Sequence, residues 1–362
     1  MIPGDPALPA LPRLLDAPGM ALELGGPCRI KGVRYKPGRR LAVRYAIESA
    51  ENGTLAAAVA DARRDLRRHP GFRARIGALV IRFPADPALP ALADPTAIAR
   101  RLGVPPGTEL MPLAYKPLTR AVVRMGDHVV KAYSDDGHYC RALVAQRRLT
   151  GLARPATAPF EAAWDDLRAT AHAVVPGVQA HPALQARAAG ALLHELHAVD
   201  HPDLTERSFS RLLDDAATAA SLIAAVLPHR ARDARRVIET LESHLPPPAP
   251  PVTAHGDFCA RNLVVDGATL TIVDIDNLAL APAAIDLAAY AAHADAGDYG
   301  AALAILEELL AGYGAAPTGL AWCLAASMLF RVRTPFQSYL DQWPDLVEAW
   351  LEAAAVAARS LL

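Results

Sequence analysis

Short runs that alternate apolar and polar residues fill the first half of the chain, and longer helical patterns dominate beyond residue 176. Residues 41–47 alternate as a half-buried strand does, and residues 78–83 read as another. Asn52-Gly53 marks a hairpin turn between them. The arginine-rich segment 56–68 predicts a helix. The prolines of RFPADPALPALADP, residues 82–95, exclude a continuous helix or an inner strand.

From Leu110 the pattern sharpens. Strands are predicted over 110–115, 121–125 and 128–133, separated by the turns Lys116-Pro117-Leu118-Thr119 and Gly126-Asp127. A helix over 138–149 follows, then strands over 160–164 and 167–175 joined at Asp165-Asp166, with Pro176-Gly177 closing the block. Helices are predicted over 184–199, 208–227 and 230–244, with several more after Asp286, and PPPAPP at 246–251 is a stiff connector. This succession is that of an α+β protein. It divides into an accessory subdomain at 1–108, a small sheet lobe at 109–176 and a helical lobe at 177–362.

An echo runs through the first half. Tyr35-Lys36-Pro37-x-x-Arg40-x-x-Val43-Arg44 returns 80 residues later as Tyr115-Lys116-Pro117-x-x-Arg120-x-x-Val123-Arg124. Two readings are open: a degenerate duplicate of the sheet lobe, or a chance likeness of two strand-turn units.

Composition narrows the function. At 362 residues and 52% hydrophobic content the chain can fill the cores of two lobes, while a formal charge of -1 offers no field for nucleic acid. Its longest apolar stretch, 216–227, is too short to span a bilayer, and the proline-broken start lacks a signal-peptide pattern. Cys28, Cys140, Cys259 and Cys323 are too scattered for a disulfide framework or a zinc knuckle, so a cytoplasmic location is expected. Residues 252–362 carry thirteen Asp or Glu against four Lys or Arg, which reads as solvated helix faces or as a lobe for divalent cations or a cationic substrate.

The chemistry concentrates in HGDFCARNLVV, residues 255–265, and in Ile272-Val273-Asp274-Ile275-Asp276. A hairpin turning at Asp266-Gly267 would bring Asp257, Asn262 and Asp274 together. Two carboxylates and an amide oxygen are hard ligands suited to Mg²⁺, which takes its remaining ligands from water and phosphates. With Lys131 added, the set meets the needs of phosphoryl transfer: a positioned acceptor hydroxyl and neutralised phosphate charge.

H-G-D-x-x-x-x-N followed by an apolar-Asp-x-Asp strand resembles the aminoglycoside phosphotransferase and choline kinase family, relatives of the protein kinases. The resemblance spans roughly residues 110–345. It implies a bilobal protein-kinase-like fold and ATP-dependent, Mg²⁺-assisted phosphorylation of a small-molecule hydroxyl. Asp257 becomes the catalytic base, His255 braces its loop, and Asn262 and Asp274 become metal ligands. Asp276 could approach a second metal or the substrate, and Asp286 resembles a structural carboxylate capping free amides at a helix start. Lys131 resembles the lysine that holds the nucleotide phosphates, and Lys116-Pro117-Leu118-Thr119-Arg120 the short nucleotide loop containing Thr119 and Arg120. Ala173-Val174-Val175-Pro176-Gly177 resembles the hinge, with Val174 and Val175 offering backbone groups to adenine, and residues 192–197 resemble the helix beneath the catalytic loop.

Two features depart from the family. Segment 138–149 holds no acid to pair with Lys131; Gln146 stands at a plausible place without the charge, and Glu161 is an alternative. There is also no G-x-G-x-x-G loop. Elsewhere, His194 and His197 read as packed residues without a third metal ligand, Cys259 as a space-filler, Trp322, Trp343 and Trp350 as core or groove-lining, and the basic segment 29–44 as a solvated face. A peptide Ser or Thr as acceptor, a non-enzymatic nucleotide-binding pseudokinase and a scaffold are the competing functions. The sequence carries no code for the acceptor or for the oligomeric state.

Overall fold

The computed structural model describes residues 2, 4–48, 54–152, 154–200 and 203–362. Helices α1 (Leu11–Leu14) and α2 (Ala17–Leu24) lead into strands β1 (Cys28–Lys36), β2 (Arg40–Ile47), β3 (Thr54–Asp61), β4 (Phe72–Arg73) and β5 (Ala78–Arg82). These five strands form a sheet in the order β1-β2-β3-β5-β4. Helices α3 (Pro90–Ala93) and α4 (Pro95–Leu102) then lead into β6 (Met111–Lys116), β7 (Arg120–Met125), β8 (His128–Tyr133), α5 (Asp136–Leu149), β9 (Phe160–Trp164) and β10 (Ala169–Ala173). The second sheet repeats the order as β6-β7-β8-β10-β9. Only the second copy has a helix, α5, between its third and fourth strands.

The repetition extends to hydrogen bonds. Asp5 accepts from Tyr35 Oη and the Gly38 amide, each at 2.8 Å, and Asp86 accepts from Tyr115 Oη and the Leu118 amide at the same distance. Both carboxylates open an identical heptapeptide, DPALPAL, at residues 5–11 and 86–92. Each turn residue bonded in this way has a positive φ, 67° at Gly38 and 57° at Leu118. Strand register completes the comparison: Ala42 faces Val59 in the first sheet as Val122 faces Lys131 in the second. Val59 therefore stands where the second copy has its lysine.

Strand β3 corrects the helix predicted over 56–68. Its alanines favour a helix in isolation, but β2 and β5 pair with it on both edges and both of its faces are buried. Ala56, Ala58 and Ala60 join the core under α1 and α2, while Ala57 and Val59 face the second sheet. Small side chains let the two sheets approach closely, and this packing overrides helix propensity. The turn predicted at Asn52-Gly53 lies outside the described residues. The strand predicted over 78–83 is β5. Helices α3 and α4 pack on the second sheet, with Leu89, Leu92 and Ile98 against Tyr115, Val123 and Val130.

The helical lobe follows β11 (Val178–Gln179). It comprises α6 (Ala186–His197), α7 (Phe209–Val226), α8 (Ala231–Ser243), β12 (Pro251–Ala254), β13 (Leu263–Asp266), β14 (Thr269–Ile272), β15 (Ala279–Pro282), α9 (Ala284–Ala294), α10 (Tyr299–Tyr313), α11 (Leu320–Arg331), α12 (Thr334–Ser338) and α13 (Trp343–Arg359). The helices predicted over 184–199, 208–227 and 230–244 are α6, α7 and α8. The α+β, bilobal arrangement is that expected from the sequence. The first sheet adds a third body whose core is continuous with that of the helical lobe, and β1 packs on α12. Among the described residues no helix is long and apolar enough to cross a membrane.

Candidate active site

Two short antiparallel ladders bring the chemistry together. Strand β12 pairs with β15, so the loop that leaves β12 at His255 lies beside the one that enters β15 after Asp274. The β13–β14 hairpin, with Leu263 facing Ile272, closes the other side. A cavity of about 640 Å³ results between the sheets and the helical lobe. Lys131, Arg120, Val174, Val175, Asp257, Asn262 and Asp274 all line it. Its volume lies in the range of small-molecule and cofactor sites.

Asp257 is half-buried. Arg261 Nη2 donates to its Oδ2 at 3.1 Å and Arg331 Nη2 to its Oδ1 at 3.3 Å, so the carboxylate is held from two sides while still reaching the cavity. The loop beneath it is locked by Asp286, which is fully buried at the start of α9. Asp286 accepts the amides of His255 at 2.6 Å and Gly256 at 2.9 Å, and His197 Nε2 lies 3.3 Å from it. It thus caps amides of the loop after β12, not those of its own helix. Burial works to raise the Asp286 pKa, but the hydrogen bond and charge of His197 and the His255 amide outweigh it and hold the group below its ordinary value.

His255 is wholly buried and forms a brace inside the loop: its Nδ1 accepts the Asp257 amide at 3.3 Å, and its Nε2 donates to the Val273 carbonyl at 3.2 Å. Gly256 has φ 78°, and a Cβ there would collide with the Asn277 carbonyl. Its own carbonyl accepts from Arg207 Nη1 at 2.7 Å, and Arg207 in turn is held by Asp215 at 2.9 Å. Arg207 carries no motif signature, so only the fold reveals it.

Asp274 sits in the left-handed region at φ 59°, an uncommon conformation for a non-glycine residue and one enriched for Asp. Lys131 Nζ donates to it at 2.9 Å and to Asp276 at 2.6 Å. Arg120 bridges the same two acids, at 3.2 Å to Asp274 and 2.8 Å to Asp276, and Tyr133 Oη adds a bond of 2.8 Å to Asp276. Burial alone would raise the Asp274 pKa; Lys131 and then Arg120 reverse that and hold its carboxyl well below the usual range. Burial likewise works to lower the Lys131 pKa, but Asp276 and Asp274 raise it.

The partner of Lys131 therefore comes from the opposite lobe. Glu161 is engaged elsewhere, 2.7 Å from His128 Nδ1. Gln146 of α5 is buried and lines the cavity, but its amide carries no charge to offer Lys131. Thr119 is turned away from the cavity set: its hydroxyl donates to the Pro117 carbonyl at 3.2 Å. At the expected hinge, the Val174 amide is taken by the Asp127 carbonyl at 2.8 Å, whereas Val175 makes no hydrogen bond among the described residues.

Asn262 donates through Nδ2 to the Asp257 carbonyl at 2.9 Å, and no described residue donates to its Oδ1. Asp274 keeps a quarter of its side-chain surface exposed on the same cavity. An amide oxygen and a carboxylate with lone pairs to spare are a donor set that fits Mg²⁺, provided that phosphates and water complete the shell. Among the described residues no three His, Cys, Asp or Glu side chains form a metal cluster.

The remaining candidates are packed in place. His197 Nδ1 lies 2.9 Å from Tyr313 Oη, and the His194 ring meets Tyr313 edge-on. Cys259 is buried, and burial pushes its thiol up to about 11, which leaves it without nucleophilic character. Trp322 is a core residue whose Nε1 donates to the Leu241 carbonyl at 2.8 Å.

Solved structures share this architecture. The chain is similar in fold to a choline/ethanolamine kinase family protein from Mesorhizobium loti, with TM-score 0.50, 16% identity, and 73% of this chain and 98% of that one covered. It is similar also to a choline kinase from Streptococcus pneumoniae (TM-score 0.51, 12% identity, 70% and 93% covered). A third is a choline kinase from Cryptosporidium parvum (TM-score 0.51, 12% identity, 74% and 95% covered). No curated protein matches the chain in sequence. Residues 160–323, which contain β9, the 255–262 loop, Asp274 and Asp286, match the model of the phosphotransferase enzyme family. Through that segment, a little under half of its length, the chain is similar to the phosphotransferase enzyme family, and it shares the kinase-like fold of those structures.

Proposed function

We propose that the protein transfers the γ-phosphoryl group of ATP, with Mg²⁺, to a hydroxyl group of a small molecule. The observation that carries this reading is the convergence of Asp257, Asn262, Asp274 and Lys131 on one cavity that Val174 and Val175 also line. Asp257, held by Arg261 and Arg331, orients the acceptor hydroxyl and takes its proton. Lys131, with Arg120 beside it, steadies the nucleotide phosphates. Asn262 Oδ1 and Asp274 would hold the metal, which when bound neutralises charge on the transferring group. Val175 offers its free backbone groups to adenine, with Val122, Val129 and Val264 as apolar walls.

We place the division between the first sheet and the nucleotide lobe near residue 85 instead of 108, because α3, α4 and Asp86 are bonded and packed to the second sheet. A cavity of about 640 Å³ suits a compact acceptor better than an extended peptide. ADP formation is measured with Mg²⁺ and with EDTA, for the wild-type protein and Asp257→Asn. Turnover that requires Mg²⁺ and falls by roughly 10² to 10⁴ in the variant, with ATP binding retained, supports the reading. Full turnover by Asp257→Asn would remove the carboxylate from its role.

A further inference from the structure

The thirteen acids of residues 252–362 suggest a cationic acceptor, but the field around Asp257 has the opposite sign. Glu307, Glu308, Asp345 and Glu352 lie exposed on helix faces and Asp341 in the turn before α13, none of them lining the cavity, and Glu308 and Glu352 pair with Arg187 and Arg230 there. The cavity itself is lined by seven Lys or Arg against two Asp. Some of these cations are balanced. Lys131 and Arg120 face Asp274 and Asp276, and Arg261 faces Asp257, which Arg331, outside the lining, also contacts.

Others are not. Arg34, Arg44 and Lys116 line the cavity and have no carboxylate partner among the described residues, and Arg333, stacked 3.6 Å over the Phe330 ring, has none either. They crowd one another. Burial and then Arg120 and Arg34 bring the Lys116 ammonium down to about 8, and burial and then Arg34 and Arg331 bring Arg333 down to about 10. A nucleotide with its metal cancels only part of this charge.

Arg34 and Arg44 come from the first sheet. In that copy Val59 occupies the register position of Lys131, and no helix corresponds to α5. The copy therefore lacks the lysine for nucleotide phosphates, yet presents two arginines to the cleft of the other copy. The placement is built into the strands: Gly32 faces Arg44 across β1 and β2, and a Cβ on Gly32 would collide with the Arg44 guanidinium.

We propose that the phosphoryl acceptor is an anion, a hydroxyl compound carrying a phosphate or carboxylate group, and that Arg34 and Arg44 of the first sheet hold that group beside Asp257 together with Arg333. The first sheet is then a degenerate copy of the nucleotide lobe converted to an acceptor-binding subdomain. Arginine suits the task because its planar fork binds phosphate and carboxylate oxygens in pairs. This assignment rests on the phosphotransferase reading above.

The test uses the full chain with ATP and Mg²⁺ and five acceptors: glycerol 3-phosphate, glycerate, glycerol, choline and kanamycin. Expected is transfer to the anions in preference to the neutral and cationic compounds, with the two anions separating phosphate from carboxylate recognition. Arg34→Ala and Arg44→Ala should each raise the KM of the anion about tenfold, the scale of one lost charged hydrogen bond, and leave the KM of ATP within about twofold. A preference for glycerol, choline or kanamycin overturns the proposal. So does a rise in the KM of ATP with the acceptor KM unmoved, which would assign the arginines to the nucleotide. A second measurement is independent of turnover: calorimetric binding of glycerol 3-phosphate and glycerate to Asp257→Asn saturated with ADP and Mg²⁺. Binding that is lost in the added Arg34→Ala/Arg44→Ala pair supports the anion site even where no transfer occurs, an outcome that would defeat the kinase reading alone. Binding equal with and without the two arginines overturns the site.

Discussion

Lys131 Nζ donates to Asp276 Oδ1 at 2.6 Å across the cleft, from the sheet lobe to the loop after β14. The two lobes are thus tied by groups that the proposed function assigns to phosphate, with Arg120 as a second tie to the same acids. Both Lys131 and the Asp276 side chain are buried, so removing the cation leaves a carboxylate with incomplete compensation. Lys131→Met should raise the KM of ATP, lower turnover by roughly 10² to 10³, the scale of losing one electrostatic donor, and destabilise the fold by about 3 kcal/mol. Steady-state kinetics and urea unfolding measure the two effects separately. Loss of stability with unchanged kinetics would leave Lys131 as a strut between lobes.

The candidate loop at 255–262 was legible because its residues are near one another in sequence. His255, Gly256, Asp257 and Asn262 lie within eight positions, and a hairpin brings Asp274 back to them. The partner of Lys131 was not, since the pairing joins residues 143 and 145 positions apart and replaces the acid sought in α5. Strand β3 was hidden by its alanines, whose burial on both faces exists only once two sheets stack. Arg34 and Arg44 looked like members of a solvated basic segment, because a strand's own periodicity does not say which cleft its edge will line. A stronger signal of the repeated architecture was present in the sequence as the identical DPALPAL at residues 5–11 and 86–92.

Asp286 holds the His255–Asp257 loop without lining the cavity. Asp286→Ala removes the acceptor of two buried amides and the partner of His197, and should cost about 3 to 5 kcal/mol in urea unfolding at pH 7. The cost depends on pH. Because the folded pKa lies below the ordinary value, the unfolded chain binds the proton more readily. The stabilisation is therefore complete above the unfolded pKa of about 3.9 and is lost as pH falls through the folded value. The gap between wild-type and variant unfolding free energies should shrink on acidification below that point. A gap independent of pH would mean that the ionised form is not what holds the loop.

Gly256→Ala tests the geometry of the same loop. The residue has φ 78°, and its position faces the Asn277 carbonyl, which cannot move without disturbing the turn after Asp274. A methyl group should cost about 2 kcal/mol or more and displace Asp257, lowering kcat more than it changes the KM of ATP. Activity at the wild-type level would show that the loop tolerates a different backbone path.

Leu118 and Gly38 occupy the same turn position in the two sheets with φ of 57° and 67°, but only Leu118 has something to bury against. Its side chain packs with Ala42, Val59, Leu79 and Ile81 of the first sheet and Leu66 of the loop after β3, whereas a Cβ on Gly38 would meet nothing within 4 Å. The left-handed conformation costs a non-glycine residue about 1 to 2 kcal/mol. Burying a leucine contributes roughly 2 to 3 kcal/mol, and deleting it leaves a cavity as well. Leu118→Gly should therefore destabilise the protein by about 1 to 3 kcal/mol despite relieving the backbone, and Gly38→Leu should destabilise it by about 1 kcal/mol with no compensating contact. Urea unfolding midpoints of the two single variants decide the matter. A stabilised Leu118→Gly would show that the apolar contact between the two sheets contributes less than the strain it imposes.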